Sequence, residues 1–503
     1  MSFFRRRRRI EQKQQPSKPV TLKSPQSLDE VQQWINKYFG EPSDMIFRNV
    51  GIGNDNKYKG LLVFIQDITN QDYISEQIIK PLKSFSQPAD GTSPIDYLKD
   101  TILSTGDILV SSDFTTLFDD LLMGKALLFI EGQKQAFSIA VDDWKGRQVE
   151  QPSAQTVVRG PRESFTENIN TNKALIRKRI RSQDLQIKSR RLGKYTQTEI
   201  SIIYLKGVAD DDVVKEVEKR IDKIQLDGIS GSNQIEELIQ DGKFSPFPTI
   251  DNTERPDITA ASLLEGKVII LVNGTPFVLI APVVFMHFFQ TAEDYYARFY
   301  LASAIRFLRV LSVMITLLAP SIYIALTTFH QEMLPTRLLT NLAAQREGVP
   351  FPAFVEAVMM EVTFEILREA GIRMPRAVGQ AVSVVGAIVI GQAAVEAGIV
   401  SAAMVIVVSI TAISSFVIPS YSIANSIRLL RFPMMIFAGS FGFFGVMLAL
   451  FALTIHLCSL KSFGISYMAP LSPFHLRDQR DTFIRTIKSY FSSKGETLEK
   501  SRK

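Results

Sequence analysis

Four long apolar runs crowd the C-terminal part of this chain, at 310–329, 377–396, 400–418 and 434–458. A transmembrane helix needs about 20 predominantly apolar residues. Backbone in lipid must satisfy its own polar groups, so runs of this kind fold as helices. The expectation is an α-helical polytopic membrane domain over 292–460 with four spans. Pro320, at the centre of the first run, is a candidate kink.

A charged stretch interrupts these runs. Pro350 and Pro352 open a helical pattern and Gly371 closes it. Phe354, Val358, Val362 and Ile366 recur every four residues, while Glu361, Glu365 and Glu369 form another strip. The charges argue against a lipid-facing span, so 350–371 reads either as an interfacial helix with its glutamates in water or as a re-entrant element. The following run carries Gly379, Gly386 and Gly391, small residues that let helices pack closely in a membrane. Gln392 and Glu396 are spaced i, i+4 and share a face. The segment 421–431, with Arg428 and Arg431, reads as interfacial.

The region before 292 reads as α/β, built from a degenerate tandem repeat. LLVFIQDI at 61–68 and SIIYLKGV at 201–208 are strand patterns, each followed by a helical pattern. GKALLFIEG at 124–132 then corresponds to GKVIILVNG at 266–274. Order and spacing are kept, which predicts two copies of one unit, a first subdomain at 28–150 and a second at 193–291. The repeat also bears on 268–290, which lacks formal charge and is long enough to span a bilayer. Its counterpart at 126–141 carries Glu131 and Lys134, and Asn273-Gly274 is a strong hairpin dipeptide, so 268–290 reads as a buried hairpin. The stretch 151–192 reads as a basic helical linker, solvated in its simplest form, and 1–27, with five consecutive arginines, as a disordered basic tail. The remainder, 461–503, reads as a C-terminal cytoplasmic tail.

Chemistry is sparse. The four histidines have no metal-ligand spacing, and a single cysteine, Cys458, excludes an internal disulfide. No nucleophile elbow or phosphate-binding glycine loop is present, which points away from an enzyme, with no cofactor and no metal. The excess of 57 Lys and Arg over 51 Asp and Glu is too small to suggest nucleic acid. The basic N-terminus is followed by no apolar segment of a signal peptide.

The text LAAQREGVPFPAFVEAVMMEVTFEILREAGIRMPRAVGQAVSVVGAIVIGQAAVEAGIVS at 342–401 resembles the core of the A subunit of GerA-type spore germinant receptors. TAEDYY at 291–296 and SFGISYMAPLSPFHLRDQRDTFIR at 462–485 extend the resemblance. It implies a nutrient-responsive complex in the spore inner membrane, with a transporter-like B subunit and a lipoprotein C subunit. It also implies that the A subunit assembles as a homo-oligomer, a pentamer, into a channel for monovalent cations. On that reading Glu361, Glu365, Gln392 and Glu396 are candidates for the ion path, and Val384, Val385 and Ile388 for a hydrophobic gate. A scaffold and signal transducer without a pore is the alternative, as is a paralogue resembling the stage V sporulation AF protein. Four spans put both termini on one side. The basic residues flanking the spans conflict, Arg306 and Arg309 favouring cytoplasmic termini, Arg337 and Arg346 the reverse. The missing signal peptide and the resemblance favour the cytoplasm.

Overall fold

The computed structural model describes residues 27–53, 58–84, 108–141, 151–152, 155–374, 391–472, 474, 482 and 484–485. The chain forms two compact units. The first comprises Met1–Thr156, Pro161–Leu238 and Asn252–Ile280, and the second Val157–Gly160, Ile239–Asp251 and Ala281–Lys503.

In the first unit, α1 (Leu28–Phe39), β1 (Met45–Ile52), β2 (Tyr58–Ile65), β3 (Ile108–Ser111), α2 (Phe114–Leu122), β4 (Ala126–Ile130) and β5 (Ala136–Ile139) make one half. The other half contains α3 (Ile169–Arg179), β6 (Leu185–Leu192), β7 (Thr198–Leu205), α4 (Asp211–Asp222), α5 (Ser232–Ile239), β8 (Asp251–Thr253), α6 (Pro256–Leu264), β9 (Val268–Val272) and β10 (Val278–Ala281). The two sheets run β1-β2-β4-β5-β3 and β6-β7-β9-β10-β8, the same order position by position. Register repeats too: β2 pairs antiparallel with β4 as Leu61↔Phe129, and β7 with β9 as Ser201↔Leu271.

The first sheet is buried on both faces, which explains why β2 reads as an unbroken apolar run. Leu62 and Phe64 pack with Ile74, Ile78 and Leu128 on one side. Leu61, Val63 and Ile65 pack with Ile35, Leu117 and Leu121 on the other. Each such side chain contributes about 1.5–3 kcal/mol by leaving water. The stretch 268–290 is a hairpin, β9 turning through Asn273-Gly274 into β10, followed by a short 3-10 helix at Phe285–Phe289.

The solvated linker at 151–192 is corrected. Leu185–Leu192 is the edge strand of the second sheet, pairing Leu185↔Leu205 through Leu192↔Thr198. Its basic residues hid the strand pattern because an edge strand leaves part of its length exposed. Helix α3 is not solvated either: Asn172, Lys173 and Arg177 are buried. Arg177 grips Asp44 of the other half through two bonds of 2.9 and 3.0 Å.

In the second unit, α7 (Phe299–Thr328) is one continuous helix through Pro320. It is followed by α8 (Thr336–Arg346), α9 (Ala353–Arg373), α10 (Gly391–Glu396), α11 (Ala402–Val417) and α12 (Tyr421–Ser459). Among the described residues, two helices are long and apolar enough to cross a membrane, Phe299–Thr328 and Tyr421–Ser459. Helix α11 has 16 residues, and most of the run at 377–396 lies outside the described residues. The basic tail at 1–26 lies outside them as well.

Helix α12 corrects the single span at 434–458. Gly442 leaves helical geometry (φ 60°, ψ −141°), and the chain folds back there. Ser245 Oγ lies 2.9 Å from His456 Nε2, while the neighbouring Pro246 carbonyl accepts from Ser426 Oγ. A straight helix would hold Ser426 and His456 roughly 45 Å apart at 1.5 Å per residue. The element is therefore two arms, 421–441 and 443–459. The segment 461–472 is not a tail: β11 (Lys461–Ser462) and β12 (Ile465–Ser466) form a small hairpin with Phe463, Ile465 and Tyr467 buried.

Candidate functional site

The site grows from the spacing of charges on α9 and the first arm of α12. Glutamates four apart share a helix face, as do arginines three apart. When the helices run antiparallel, the two strips can meet. Glu361 pairs with Arg431, and Glu365 lies 3.9 Å from Arg428 and 2.9 Å from Arg368 of its own helix. Glu361 and Arg431 are both fully buried. The expectation that 421–431 lies at an interface is thereby corrected, because both of its arginines point into the protein.

A second carboxylate of α9 sits where α11 begins. Glu356 Oε2 accepts from the Ser401 backbone amide at 3.0 Å and from its hydroxyl at 2.9 Å. Ser401 is the N-cap of α11 and its hydroxyl also accepts from the Met404 amide. A negative group there is favoured by the exposed amides and the helix dipole. Arg346 of α8 approaches Glu356 at 3.4 Å, and Tyr323 of α7 reaches the Ser401 hydroxyl at 3.5 Å. One buried carboxylate thus ties four helices together.

A third cluster stands at the foot of α7. Asp294 takes Arg306 at 2.8 Å and Arg309 at 2.9 Å, and Arg309 also donates to Thr291 Oγ1 and the Phe289 carbonyl. Tyr295 lies between two guanidiniums, Arg306 and Arg485, each 5.6 Å from its ring centre. Arg485 also donates to the carbonyls of Tyr295 and Ala297. The 291–296 and 462–485 motifs therefore meet.

Of the candidate ion-path residues, Glu361 and Glu365 are brought together on the inward face of α9. Gln392 and Glu396 are exposed on α10 and joined by a 2.8 Å bond. Among the described residues, no hydrogen bond or ion pair links them to Glu361 or Glu365. Gly391 faces Val405 of α11, and Pro320 is buried within α7. Val384, Val385, Ile388, Gly379 and Gly386 lie outside the described residues. Sequence reasoning missed Arg428 and Arg431 as partners, although their spacing complements that of Glu361 and Glu365. Glu356, which falls off the strip of Glu361, Glu365 and Glu369 by the helical period, was not singled out either.

A fully buried ion pair is expensive unless each charge meets its complement. This one holds α9 against the first arm of α12. Residues 33–496 match the family model described as Bacillus/Clostridium GerA spore germination protein. The chain is 46% identical to spore germination protein KA of Bacillus subtilis (strain 168), over 94% of this chain and 86% of the relative. It is 38% identical to spore germination protein GerLA of Bacillus cereus, over 94% and 96% of the two chains. It is also similar to a crystal structure of the N-terminal domain of the A subunit of the Bacillus megaterium germinant receptor GerK3 (33% identity, TM-score 0.42, 52% of this chain and 96% of that one). With the family model covering nearly the whole length, helix α9 and the motifs at its flanks included, the chain belongs to the GerA spore germination protein family.

Proposed function

We propose that this chain is the A subunit of a nutrient-responsive germinant receptor, assembled as a pentamer in the spore inner membrane with B and C subunits. The oligomer encloses a channel for monovalent cations, and the termini face the spore core. The observation that carries the reading is the set of carboxylates on α9, with Glu361 fully buried against Arg431. Lipid contact alone calls for none of them. In this reading Glu365, Gln392 and Glu396 border the cation path, Glu361 holds its wall, and Val384, Val385 and Ile388 narrow it. Small residues at Gly379, Gly386 and Gly391 let neighbouring helices close around it. In this reading the chain crosses the membrane at 299–328, at 377–396, at 402–417 and through the two arms of α12, and α9, antiparallel to the first arm along Glu361–Arg431 and Glu365–Arg428, makes a further crossing that leaves both termini on one side.

The test is ion flux. Spores carrying Glu396→Gln are expected to release monovalent cations more slowly on nutrient addition, and Val384→Ala or Ile388→Ala to leak without nutrient. Normal release in all three variants overturns the pore assignment.

A second reading is a scaffold and transducer without a pore. A polar cavity of about 350 Å³ in the first unit favours it, lined by Ser43, Asp44, Lys173, Ser189, Arg190 and Glu199. Planar-bilayer conductance of the purified chain separates the two readings.

A further inference from the structure

We propose that the loop 241–247 is a membrane anchor that seats Phe244 in lipid at the boundary between acyl chains and headgroups. The proposal rests on the reading of α12 as membrane-spanning.

The loop reads DGKFSPF and carries two aromatic residues with opposite fates. Phe247 is 2% exposed, packed against Phe285 and the His456 ring. Phe244, three residues earlier, is 103% exposed. Leaving a phenylalanine in water forgoes about 1.5–3 kcal/mol of burial. The side chain is not loose by default, because its loop is pinned on every side. Asp241 accepts from the Phe463 amide at 2.6 Å, and the Ser245 amide closes a turn onto the Gly242 carbonyl at 2.7 Å. The Phe247 amide donates to Ser245 Oγ at 3.2 Å. Backbone groups near lipid need such internal partners.

The position of the loop identifies the partner. Ser245 meets His456 of the second arm, and Pro246 meets Ser426 of the first. Counted back to Gly442, both contacts lie roughly 20–25 Å along the arms from the turn. The hydrocarbon core is about 30 Å thick. With the turn at one boundary, the loop falls at or just inside the other. Exposed apolar side chains line the arms from the turn toward the level of the loop, Phe441 and Phe444 beside Gly442, then Met447, Phe451 and Ile455. Lys243, exposed beside Phe244, supplies a cation at headgroup level. An aromatic ring with a neighbouring ammonium at that depth is the chemistry of an interfacial anchor.

The test uses the full chain in liposomes, with Cys458→Ser removing the single cysteine and Phe244→Cys carrying an environment-sensitive nitrobenzoxadiazole label. A second sample carries the label at Phe451→Cys in the same background. The expected result is a blue-shifted Phe244→Cys label that loses most of its emission to lipids with a nitroxide high on the acyl chain, and little to aqueous iodide. Quenching by iodide alone puts the loop in water and overturns the anchor. Protection from both quenchers means that protein covers the loop, a second copy or another subunit, and also overturns it. The Phe451→Cys label separates the two levels of the argument. If it is quenched by nitroxide lipid while the Phe244→Cys label is not, the arm is in lipid and only the anchor fails. If neither is quenched by lipid, the spanning reading of α12 fails with it.

Discussion

Arg431 of the first arm of α12 and Glu361 of α9 form an ion pair in which neither side chain reaches the surface. Its weight lies in what happens when one member is removed. Two charges held together cost little more than an apolar pair of equal volume, whereas a lone buried charge is left uncompensated.

Substituting Glu361→Gln or Arg431→Met alone is therefore expected to destabilise the second unit by about 3–5 kcal/mol. The double variant Glu361→Leu/Arg431→Met is expected to recover most of the loss. Thermal unfolding of the detergent-solubilised chain measures both. A double variant as unstable as the singles would mean that the pair does more than neutralise itself.

The same reasoning applies in the first unit, where Arg177 and Asp44 join the two halves with side chains 2% and 0% exposed. Asp44→Ala should cost about 3–5 kcal/mol in urea unfolding by stranding Arg177. Glu76 and Lys80 form a pair of similar length, 63% and 72% exposed, and Glu76→Ala should cost less than about 1 kcal/mol. The contrast tests whether burial, rather than the count of ion pairs, sets the stability of this unit.

The two-copy architecture was legible because it is written twice. A strand pattern that is ambiguous in one copy, 268–290, is disambiguated by charges at Glu131 and Lys134 in the other. The charge pairing was not legible, because it depends on which helix lies beside α9. Arg428 and Arg431 have the same spacing at an interface as they have inside a bundle. The fold-back of α12 escaped for a related reason: hydropathy is blind to direction, so an apolar run through Gly442 looks like one span. The hairpin at 461–466 was hidden because its partners lie far away in sequence, with Thr249 accepting from Ser462 and Asp241 from Phe463.

Asp113 caps α2, accepting from the amides of Thr115 and Thr116 and from the Thr116 hydroxyl at 2.7 Å. The Thr116 hydroxyl is the main cause that holds its carboxyl below the ordinary value of 3.8; slight desolvation opposes it, and the two amides add to it. A depressed carboxylate contributes stability above its unfolded value and loses it as pH falls through the folded value. Asp113→Ala should therefore cost about 1 kcal/mol at neutral pH, as N-caps do. That cost should shrink below pH 3.8. Urea unfolding followed by Trp34 fluorescence reads it, since Trp34 stacks on Phe118 and edges Phe114 of the capped helix. A cost independent of pH would show that the carboxylate charge plays no part in the cap.

The reversal of α12 depends on two glycines with different requirements. Gly442 has a φ of +60°, which side-chain-bearing residues adopt at a cost, and a Cβ there would lie 2.8 Å from the His330 ring and 2.9 Å from Phe329. Gly445 needs space rather than conformation, because a Cβ would come within 2.1 Å of the Phe437 carbonyl oxygen. Backbone cannot yield as the end of a flexible side chain can, so Gly445→Ala should open the turn at least as much as Gly442→Ala. Spin labels at Ser422→Cys and Leu460→Cys, in a Cys458→Ser background, report the separation of the arm ends. The parent should give a short, narrow distance distribution, since both ends meet the loop at 245–246. Either glycine variant should lengthen and broaden it, while Gly439→Ala, outside the turn, should shift it least. An unchanged distribution in Gly445→Ala would show that the arms close without the tight contact at Phe437, leaving Gly442 alone to direct the chain back.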